Sequence, residues 1–211
     1  MSILSKLKRK LRRIIGRREV FFPTCDKIIY EDLPTSYSGG SLSNSRVMWV
    51  TNNAKFVDDI RITNENERLW DASIINENIQ TIALEKILGI EKTNIGPFEH
   101  IINVLTLDKK DDSIYSVFNL IQKEVDYLQN ITGITTIQTI IYFADDMEVE
   151  QDTLSKFIFG IARNILLAKK IICNAVFTSS LVPVKEAIQA GLFMSSKYAY
   201  GLSGEVLILK P

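Results

Sequence analysis

The stretch Phe98-Glu99-His100-Ile101-Ile102-Asn103 is a short apolar run that directly follows a Gly96-Pro97 turn. A polar segment with helical spacing precedes it, and a second helical pattern follows it. Short apolar runs between helical patterns are typical of the buried interior strands of a parallel α/β sheet. We therefore predict a strand over residues 98–105 and extend the fold outward from it.

The alternation of strand and helix patterns continues along the chain. Runs of β-branched and aromatic residues predict strands, and apolar residues that recur every three or four positions predict helices. The order predicts a truncated Rossmann-like α/β fold, a parallel sheet with helices on both faces. The predicted strands are 27–30, 46–51, 68–71, 98–105, 135–143, 171–177 and 204–209, and the predicted helices are 74–88, 113–129, 152–167 and 184–193, the last closed by Gly191. Residues 52–55 are expected to turn into a short helix or an irregular segment.

Charge divides the chain into a basic beginning and an acidic body. Apolar residues make up 46% and charged residues 24% of the 211 positions, as in a globular protein. Residues 1–18 hold eight of the 25 basic residues and no acid, which leaves 17 basic against 25 acidic residues in the remainder. We predict a basic amphipathic arm at residues 1–19, a connector at 20–45 and the Rossmann-like domain at 46–211.

The arm is predicted to form an amphipathic helix over residues 2–16, with Leu and Ile on one face. Such a helix binds an anionic membrane surface; packing on a partner subunit and a disordered tail are the alternatives. Nucleic acid is not expected, because the acidic body shows no basic patch interleaved with aromatic residues. The residues that would contact the membrane or a partner are Lys6, Lys8, Arg9, Lys10, Arg12 and Arg13.

No targeting segment is evident in the sequence. No uncharged apolar run reaches the roughly 18 residues of a membrane span, and no uninterrupted apolar segment begins the chain. The two cysteines, Cys25 and Cys173, form no motif and are expected to be reduced thiols. We therefore expect a cytoplasmic protein that is peripheral at the inner face of the membrane.

Few residues are candidates for metal or acid-base chemistry. A single His100 excludes a His-rich metal site and is expected to lie in the core or on the sheet surface. An acidic cluster follows the predicted strand 135–143, where α/β sheets place ligands. This cluster has two possible interpretations, a solvated loop and a divalent-cation site. The cluster consists of Asp145, Asp146, Glu148 and Glu150.

Four local patterns carry a family resemblance. They are an Asp71 after a short strand and before a polar helix, the lead-in 96–103 with its Asn103, the strand 170–176, and the segment 193–207, in which Ser203-Gly204 precedes the last strand. Together they resemble the short-chain dehydrogenase/reductase family, in particular its ketoacyl reductase branch. The resemblance implies an adenine-side position for Asp71 and a position near the family's Asn-Asn-Ala-Gly motif for Asn103.

Residues that the family needs are replaced in this chain. The family uses a Gly-rich loop after its first strand, because backbone amides approach the cofactor's pyrophosphate there. Here residues 51–59 read TNNAKFVDD, without glycine and with two acids. Only about 20 residues separate the end of the predicted strand 46–51 from Asp71, so the sheet is predicted to be truncated.

The catalytic set of the family is altered as well. Residues 144–146 read Ala-Asp-Asp where the family has a Ser, and Asp152 stands four residues before Lys156 where the family has a Tyr. A carboxylate cannot replace a phenol of pKa about 10 as proton donor. Lys156 is expected to be solvated or ion-paired, and Lys156, Asn103 and Asp71 are interpreted as vestiges of catalytic and cofactor-binding residues.

We therefore expect a catalytically inactive reductase-like protein that acts as a structural or regulatory subunit, with no cofactor. In the family, the two long helices and the last strand form interfaces, which implies a homodimer or a heterodimer with an active ketoreductase. Apolar residues on these helices are the expected interface: Phe118, Phe157, Ile158, Ile161 and Ile165. The alternatives are an active oxidoreductase that uses NADP or NAD, a cell-surface polysaccharide or lipid enzyme that uses the acidic cluster, and an unrelated sensing or scaffold protein.

Overall fold

The computed structural model describes residues 27–30, 42, 45–67, 71–78, 97–108, 114–131, 133–144, 147–169, 171–196, 199 and 202–210. Within these ranges, strands and helices alternate along the chain. The strands are β1 Lys27–Tyr30, β2 Arg46–Thr51, β3 Asp71–Asn76, β4 His100–Leu107, β5 Thr135–Phe143, β6 Ile171–Ser179 and β7 Val206–Leu209. The helices are α1 Val57–Glu67, α2 Ile114–Leu128, α3 Glu148–Lys169 and α4 Val184–Ser195, and a short 3-10 helix, Ala54–Phe56, precedes α1.

The seven described strands form one parallel sheet in the order β1-β7-β6-β5-β4-β2-β3. From β2 the chain moves outward to β3 and then returns to β4 on the other side of β2. The strand order therefore reverses between β2 and β4. The predicted Rossmann-like parallel sheet is confirmed.

Two apolar clusters cover the two faces of the sheet. On β5, Ile137 and Ile141 point to the cluster that packs under α2 and α3. Ile140 and Tyr142 point to the opposite cluster, which packs under α1 and α4. We call these the α2/α3 face and the α1/α4 face. Since successive strand side chains alternate between faces, strands buried on both sides read as continuous apolar runs, which is why β2 and β5 have the predicted bounds.

Several elements begin or end a few residues from their predicted bounds, as with the strand predicted at 98–105 and found at His100–Leu107, and two predictions are wrong. The strand expected at 68–71 is found at Asp71–Asn76, paired with β2 from Arg46 opposite Asp71 to Thr51 opposite Asn76. The predicted helix 74–88 is therefore wrong over residues 74–76, and residues 79–96 lie outside the described part. Gly191 does not close a helix but lies inside α4. A Cβ at this position would lie 2.6 Å from Ile140 Cδ1, so glycine permits the close approach of α4 to β5.

β1 changes one edge of the sheet. It lies within the predicted connector 20–45 and pairs in parallel with β7, Lys27 opposite Val206. β7 therefore has a neighbouring strand on each side. The resemblance implied that the last strand pairs across a subunit interface, but β1 occupies that edge. The division into arm, connector and domain stays a prediction, and the arm lies outside the described residues.

None of the described helices is both long enough and apolar enough to cross a membrane. The free Cys173 is buried in β6, and Cys25 lies outside the described residues.

Candidate functional site at the carboxyl edge of the sheet

The carboxyl ends of β2 and β4 mark the place where this fold offers a ligand crevice. Open α/β sheets bind ligands outside the carboxyl ends of their strands, at the point where the strand order reverses. Here that point is bordered by Thr51, Asn52 and Asn53 after β2 and by Thr106 near the end of β4. The side chains at this edge decide what the crevice can hold.

The side chain of Asn52 spans the crevice. Its Nδ2 donates a hydrogen bond to the Thr106 carbonyl oxygen at 2.9 Å, and the Thr106 backbone N–H donates to Asn52 Oδ1, also at 2.9 Å. This pair of bonds imitates the exchange between two strand residues, because a primary amide carries the same donor and acceptor as a peptide group. The ends of β2 and β4 are thus fastened together.

Asn53 adds a second connection and caps the following turn. Its Nδ2 donates to Thr106 Oγ1 at 3.2 Å, while its Oδ1 accepts from the Lys55 backbone N–H at 3.1 Å. Its own backbone N–H donates to Thr51 Oγ1 at 3.1 Å. Free amides at the start of a helix are the groups that bind phosphate. Here the Asn53 side chain already satisfies one of them.

The helix that follows begins with acids. Asp58 and Asp59 lie in the first turn of α1. Carboxylates at this position stabilise the helix dipole, and they repel an anion approaching the same helix end. Asp58 is highly exposed and lies 3.4 Å from Arg61. The charge at this edge is thus opposite to that of a phosphate-binding loop.

Tyr142 is a phenol close to the carboxyl end of β5. It lies near the end of β5 on the α1/α4 face, 4% exposed, and its ring centroid is 5.0 Å from that of Phe56. Burial raises the pKa of its hydroxyl far above the usual value, and the nearby carboxylates of Asp59 and Glu186 raise it further. A phenol in these surroundings is a poor proton donor.

The residues that resemble the family's catalytic helix lie on α3, where Ser155 is buried and Lys156 is exposed. Lys156 Nζ pairs with Asp152 Oδ2 at 2.6 Å, with the two side chains 66% and 44% exposed. Ser155 Oγ donates to the Gln151 carbonyl oxygen at 2.7 Å. The interpretation of Lys156 as an ion-paired helix residue is confirmed. These three side chains interact with their own helix.

Asp71 and Asn103 do not lie where the resemblance placed them. Asp71 is the first residue of β3 and therefore lies at the amino edge; Asn76 and Glu77 occupy the carboxyl end, where the Glu77 N–H donates to the Thr51 carbonyl oxygen at 2.9 Å. Asn103 lies in the middle of β4, which continues to Leu107. The structure brings neither residue to the crevice.

Asn103 instead belongs to a buried polar cluster on the α2/α3 face. Its Nδ2 donates to Glu124 Oε2 on α2 at 3.0 Å and approaches Thr139 Oγ1 on β5 at 3.2 Å. The Asn174 side chain on β6, in contrast, bonds to the backbone of Leu202 and Glu205.

Glu124 was not singled out from the sequence. It is fully buried, and burial raises its pKa to about 8 despite the opposing hydrogen bond from Asn103. Burial also raises the pKa of the Cys173 thiol on β6, and Glu124 adds to that effect. The sequence did contain a signal, because Glu124 lies within the apolar stripe of α2, three residues after Ile121 and four before Leu128.

His100 and the acidic cluster supply no metal site in the described part of the chain. His100 is 4% exposed, its Nδ1 lies 2.8 Å from Thr136 Oγ1, and burial lowers its pKa to about 4. The expectation of a core histidine is confirmed. Asp145 and Asp146 lie outside the described residues, and no group of three or more His, Cys, Asp or Glu within them is arranged to hold a metal ion.

The predicted interface residues divide between the core and the outer surface of α2 and α3. Ile158 is 1% exposed and belongs to the core, so this residue is not available for an interface. Phe118 and Phe157 stack on each other with ring centroids 4.0 Å apart, and Tyr115 contacts Phe118 edge-on at 5.9 Å. Ile161 is half-buried and packs against the core, and the Ile165 side chain lies outside the described part.

No protein-family profile matches the chain, and no curated protein matches it. Solved structures do resemble it. A protein from Sinorhizobium meliloti assigned to the short-chain dehydrogenase/reductases gives a TM-score of 0.57 at 10% identity, over 80% of this chain and 85% of that one. An NADH-dependent enoyl-[acyl-carrier-protein] reductase from Aquifex aeolicus gives 0.54 at 14% identity, over 79% and 95%. The C-domain of a bacterial malonyl-CoA reductase with NADP gives 0.59 at 11% identity, over 86% of this chain and 38% of that chain. These similarities show that the fold resembles that of the reductases.

Proposed function

We propose that this chain is a catalytically inactive, reductase-like subunit that acts by pairing with another subunit and not by hydride transfer. The observation that carries the proposal is the fastening of Asn52 and Asn53 to Thr106 across the β2/β4 crevice. In a fold of this kind, that crevice is where a dinucleotide places its pyrophosphate. We expect the chain to bind no cofactor, and the alternative is that it binds NADP.

The hydrogen bonds set a cost for nucleotide binding. Admitting a pyrophosphate requires the three bonds from the two Asn side chains to Thr106 to break. At about 1 kcal/mol net for each bond, the loss is about 3 kcal/mol, or roughly a hundredfold in affinity. The carboxylates of Asp58 and Asp59 add electrostatic repulsion. NAD(P)H is therefore expected to bind very weakly.

The positions of the candidate catalytic groups support inactivity. Lys156 is ion-paired on the exposed side of α3, Ser155 is buried and bonded to its own helix, and Tyr142 is buried on β5 with a raised pKa. Within the described residues, Tyr142 points to the α1/α4 face while α3 packs on the opposite face, so the three side chains form no Ser, Tyr and Lys set. Proton transfer requires donor and acceptor within hydrogen-bond reach in a plausible substrate pose. The proposal assigns no reaction to them.

The outer surface of α2 and α3 is the proposed interaction surface. Tyr115 is 68% and Val149 76% exposed at the beginnings of the two helices, and the Phe118–Phe157 stack is half-buried between them. Exposed apolar surface of this kind, with aromatic residues, is characteristic of interfaces. Because β1 pairs with the edge of β7, the outer surface of α2 and α3 is the remaining surface that corresponds to an interface of the reductase family. The partner is a second copy or an active ketoreductase.

The first experiment tests the nucleotide site. Calorimetric titration of the full chain with NADH and NADPH is expected to show no saturable binding at concentrations up to the millimolar range. The Asn52→Gly and Asn53→Gly double variant, which opens the crevice, is the comparison. Micromolar binding to the wild-type chain, accompanied by reductase turnover, would overturn the proposal.

The second experiment tests pairing. Light scattering after size exclusion is expected to show a dimer that Tyr115→Lys weakens, because a charge replaces an exposed aromatic ring on the proposed surface. Leu181→Lys is the matched control, since Leu181 is 73% exposed but lies just before α4. A chain that is monomeric at all concentrations and that captures no reductase in a pull-down would contradict the pairing.

The membrane part of the proposal concerns the basic arm. We propose that residues 1–19 hold the assembly at an anionic membrane surface, with each basic residue contributing on the order of 1 kcal/mol. Flotation with vesicles that contain phosphatidylglycerol compares the wild-type chain with a variant in which the six named Lys and Arg residues become Gln. Equal flotation of the two proteins would exclude this role.

A further inference from the structure

The middle of α2 places a carboxyl group inside the apolar core of the α2/α3 face. Glu124 is fully buried, and the residues next to it on the buried side of the helix include Leu120, Ile121 and Leu128. Burial of an ionised carboxylate among apolar side chains is costly, and such a group keeps its proton unless a cation balances it. The surroundings of Glu124 therefore decide its charge.

The described elements that pack around Glu124 present neutral groups to it. Asn103 on β4 bonds to it, Thr139 on β5 bonds to Asn103, and β6 contributes the Cys173 thiol to the same cluster. On α2 itself, the neighbouring charged residues are Lys123, which is partly exposed, and Asp126, which is exposed. The side chains that α3 adds to this cluster are apolar: Leu154, Ile158 and Ala162.

Asn103 makes only one of the two hydrogen bonds that an amide can share with a carboxyl group. Its Nδ2 donates to Glu124 Oε2 at 3.0 Å. The other oxygens of the two groups, Asn103 Oδ1 and Glu124 Oε1, are buried and have no hydrogen-bond partner. Both atoms are acceptors when Glu124 is ionised, but a proton on Oε1 turns it into a donor. One proton thus satisfies both atoms and joins the acid to the amide through two bonds.

We propose that Glu124 is a proton switch: its protonated carboxyl donates Oε1–H to Asn103 Oδ1 and fastens α2 to the sheet, and loss of that proton to the solvent releases α2. The ionised carboxylate leaves Asn103 Oδ1 without a donor, so α2 moves outward until water reaches both groups. The proton is exchanged during local opening of the helix. The two folded states are equally populated near pH 8, because burial raises the pKa of Glu124 to about 8.

The switch regulates the proposed pairing, and this part of the inference rests on the proposed function. Tyr115 and Phe118 lie on α2, and Phe118 stacks on Phe157 of α3 with ring centroids 4.0 Å apart. Outward movement of α2 separates this stack and changes the shape of the interaction surface. Because only the protonated chain presents that surface, its affinity for a partner should fall about tenfold per subunit from pH 7 to pH 9, and about a hundredfold for two identical copies.

The first measurement follows the proton in the full chain. The ¹³C resonances of the glutamate carboxyl groups and the side-chain amide of Asn103 are recorded from pH 6 to pH 10. We expect one carboxyl and the Asn103 amide to shift with a common midpoint near pH 8, and this titration to be missing in Glu124→Gln. The wild-type spectra decide the matter even where the variant does not fold. The proposal is overturned when no glutamate carboxyl titrates above pH 7.

The second measurement follows α2 and the pairing. At pH 9 the backbone amides of α2 should exchange with solvent about tenfold faster in the wild-type chain than in Glu124→Gln, and light scattering should show the hundredfold weaker dimer in the wild-type chain alone. Asp126→Asn, at an exposed acid of the same helix, is the matched control and should behave like the wild-type chain. Equal pH dependence of the wild-type chain and Glu124→Gln would overturn the switch and leave the pairing intact. A chain that is monomeric at both pH values would overturn the pairing, and amide exchange would still test the switch.

Discussion

Replacing Glu124 by glutamine is expected to change how the stability of this protein depends on pH. Glu124 is fully buried, and burial raises its pKa from 4.5 to about 8. The folded protein therefore binds a proton that the unfolded chain releases above pH 4.5. Stability is gained at low pH and is lost as the pH rises toward and through the folded pKa.

The magnitude follows from the folded pKa. At pH 6.5 and above, the unfolded chain carries an ionised Glu124, while the folded state holds the proton up to pH about 8. The folded pKa lies about 1.5 units above pH 6.5. Between pH 6.5 and pH 9 the free energy of unfolding of the wild-type protein should therefore fall by about 2 kcal/mol. His100 changes stability by only about 0.4 kcal/mol in this window, because its pKa is 6.5 in the unfolded chain and burial lowers it to about 4 in the folded state.

Glutamine keeps the shape of the buried group and removes its titration. Asn103 Oδ1 and Glu124 Oε1 have no hydrogen-bond donor when the acid is ionised. A protonated acid supplies one O–H donor to this cluster, and the NH₂ group of glutamine supplies N–H donors at the same position. Glu124→Gln should therefore match the wild-type protein near pH 6.5 and exceed its stability by about 2 kcal/mol at pH 9.

The assay is urea unfolding followed by circular dichroism at a series of pH values. Glu65→Gln, at an exposed position on α1, is the control and should keep the wild-type slope. Parallel pH dependences of the wild-type protein and Glu124→Gln between pH 6.5 and pH 9 would refute a buried, protonated Glu124.

Three other predictions concern the stability of the fold. Gly191→Ala should lower the free energy of unfolding by about 1–3 kcal/mol, because its Cβ would lie 2.6 Å from Ile140 Cδ1. Gly160→Ala on α3 is the control: nothing lies within 4 Å of its Cβ, so it should be neutral or stabilise by up to about 1 kcal/mol. Asn52→Ala should cost about 1–3 kcal/mol through two lost hydrogen bonds, measured by the urea midpoint. In the wild-type protein from pH 6.5 to pH 5, protonation of His100 in the unfolded chain costs about 1.6 kcal/mol and nearly cancels the gain of about 2 kcal/mol from the buried Glu124. His100→Gln should therefore become about 2 kcal/mol more stable over this interval while the wild-type protein stays nearly level, and parallel profiles of the two proteins would contradict the buried neutral imidazole.

The sequence predicted the strands that are apolar on both faces. β2 and β5 have the predicted bounds, because a run such as Arg46–Thr51 fits only a strand that is buried on both sides. β3 was misplaced, since Ile74 and Ile75 also fit the helical spacing of the following segment. Residues Asp71–Asn76 form a strand because they pair with β2, and the local spacing of apolar residues does not show this pairing.

From the sequence alone, only the features that are missing from the candidate site could be predicted. The absence of glycine after β2 is evident from the sequence, but the bond from Asn52 to Thr106 joins residues 54 positions apart. Likewise, Asn103 meets Glu124 and Thr139 across 21 and 36 positions. Local patterns show that such residues face inward, but only the sheet register and the position of α2 show which residues they meet.

The claim that the β2/β4 crevice is closed is tested most directly by nuclear magnetic resonance. The chain, labelled with ¹⁵N, is titrated with NADPH while the side-chain amides of Asn52 and Asn53 and the backbone amide of Thr106 are followed. The account predicts that these resonances stay unchanged at millimolar NADPH. Saturable shifts of all three at micromolar NADPH would show that the crevice opens for a dinucleotide and would contradict the account.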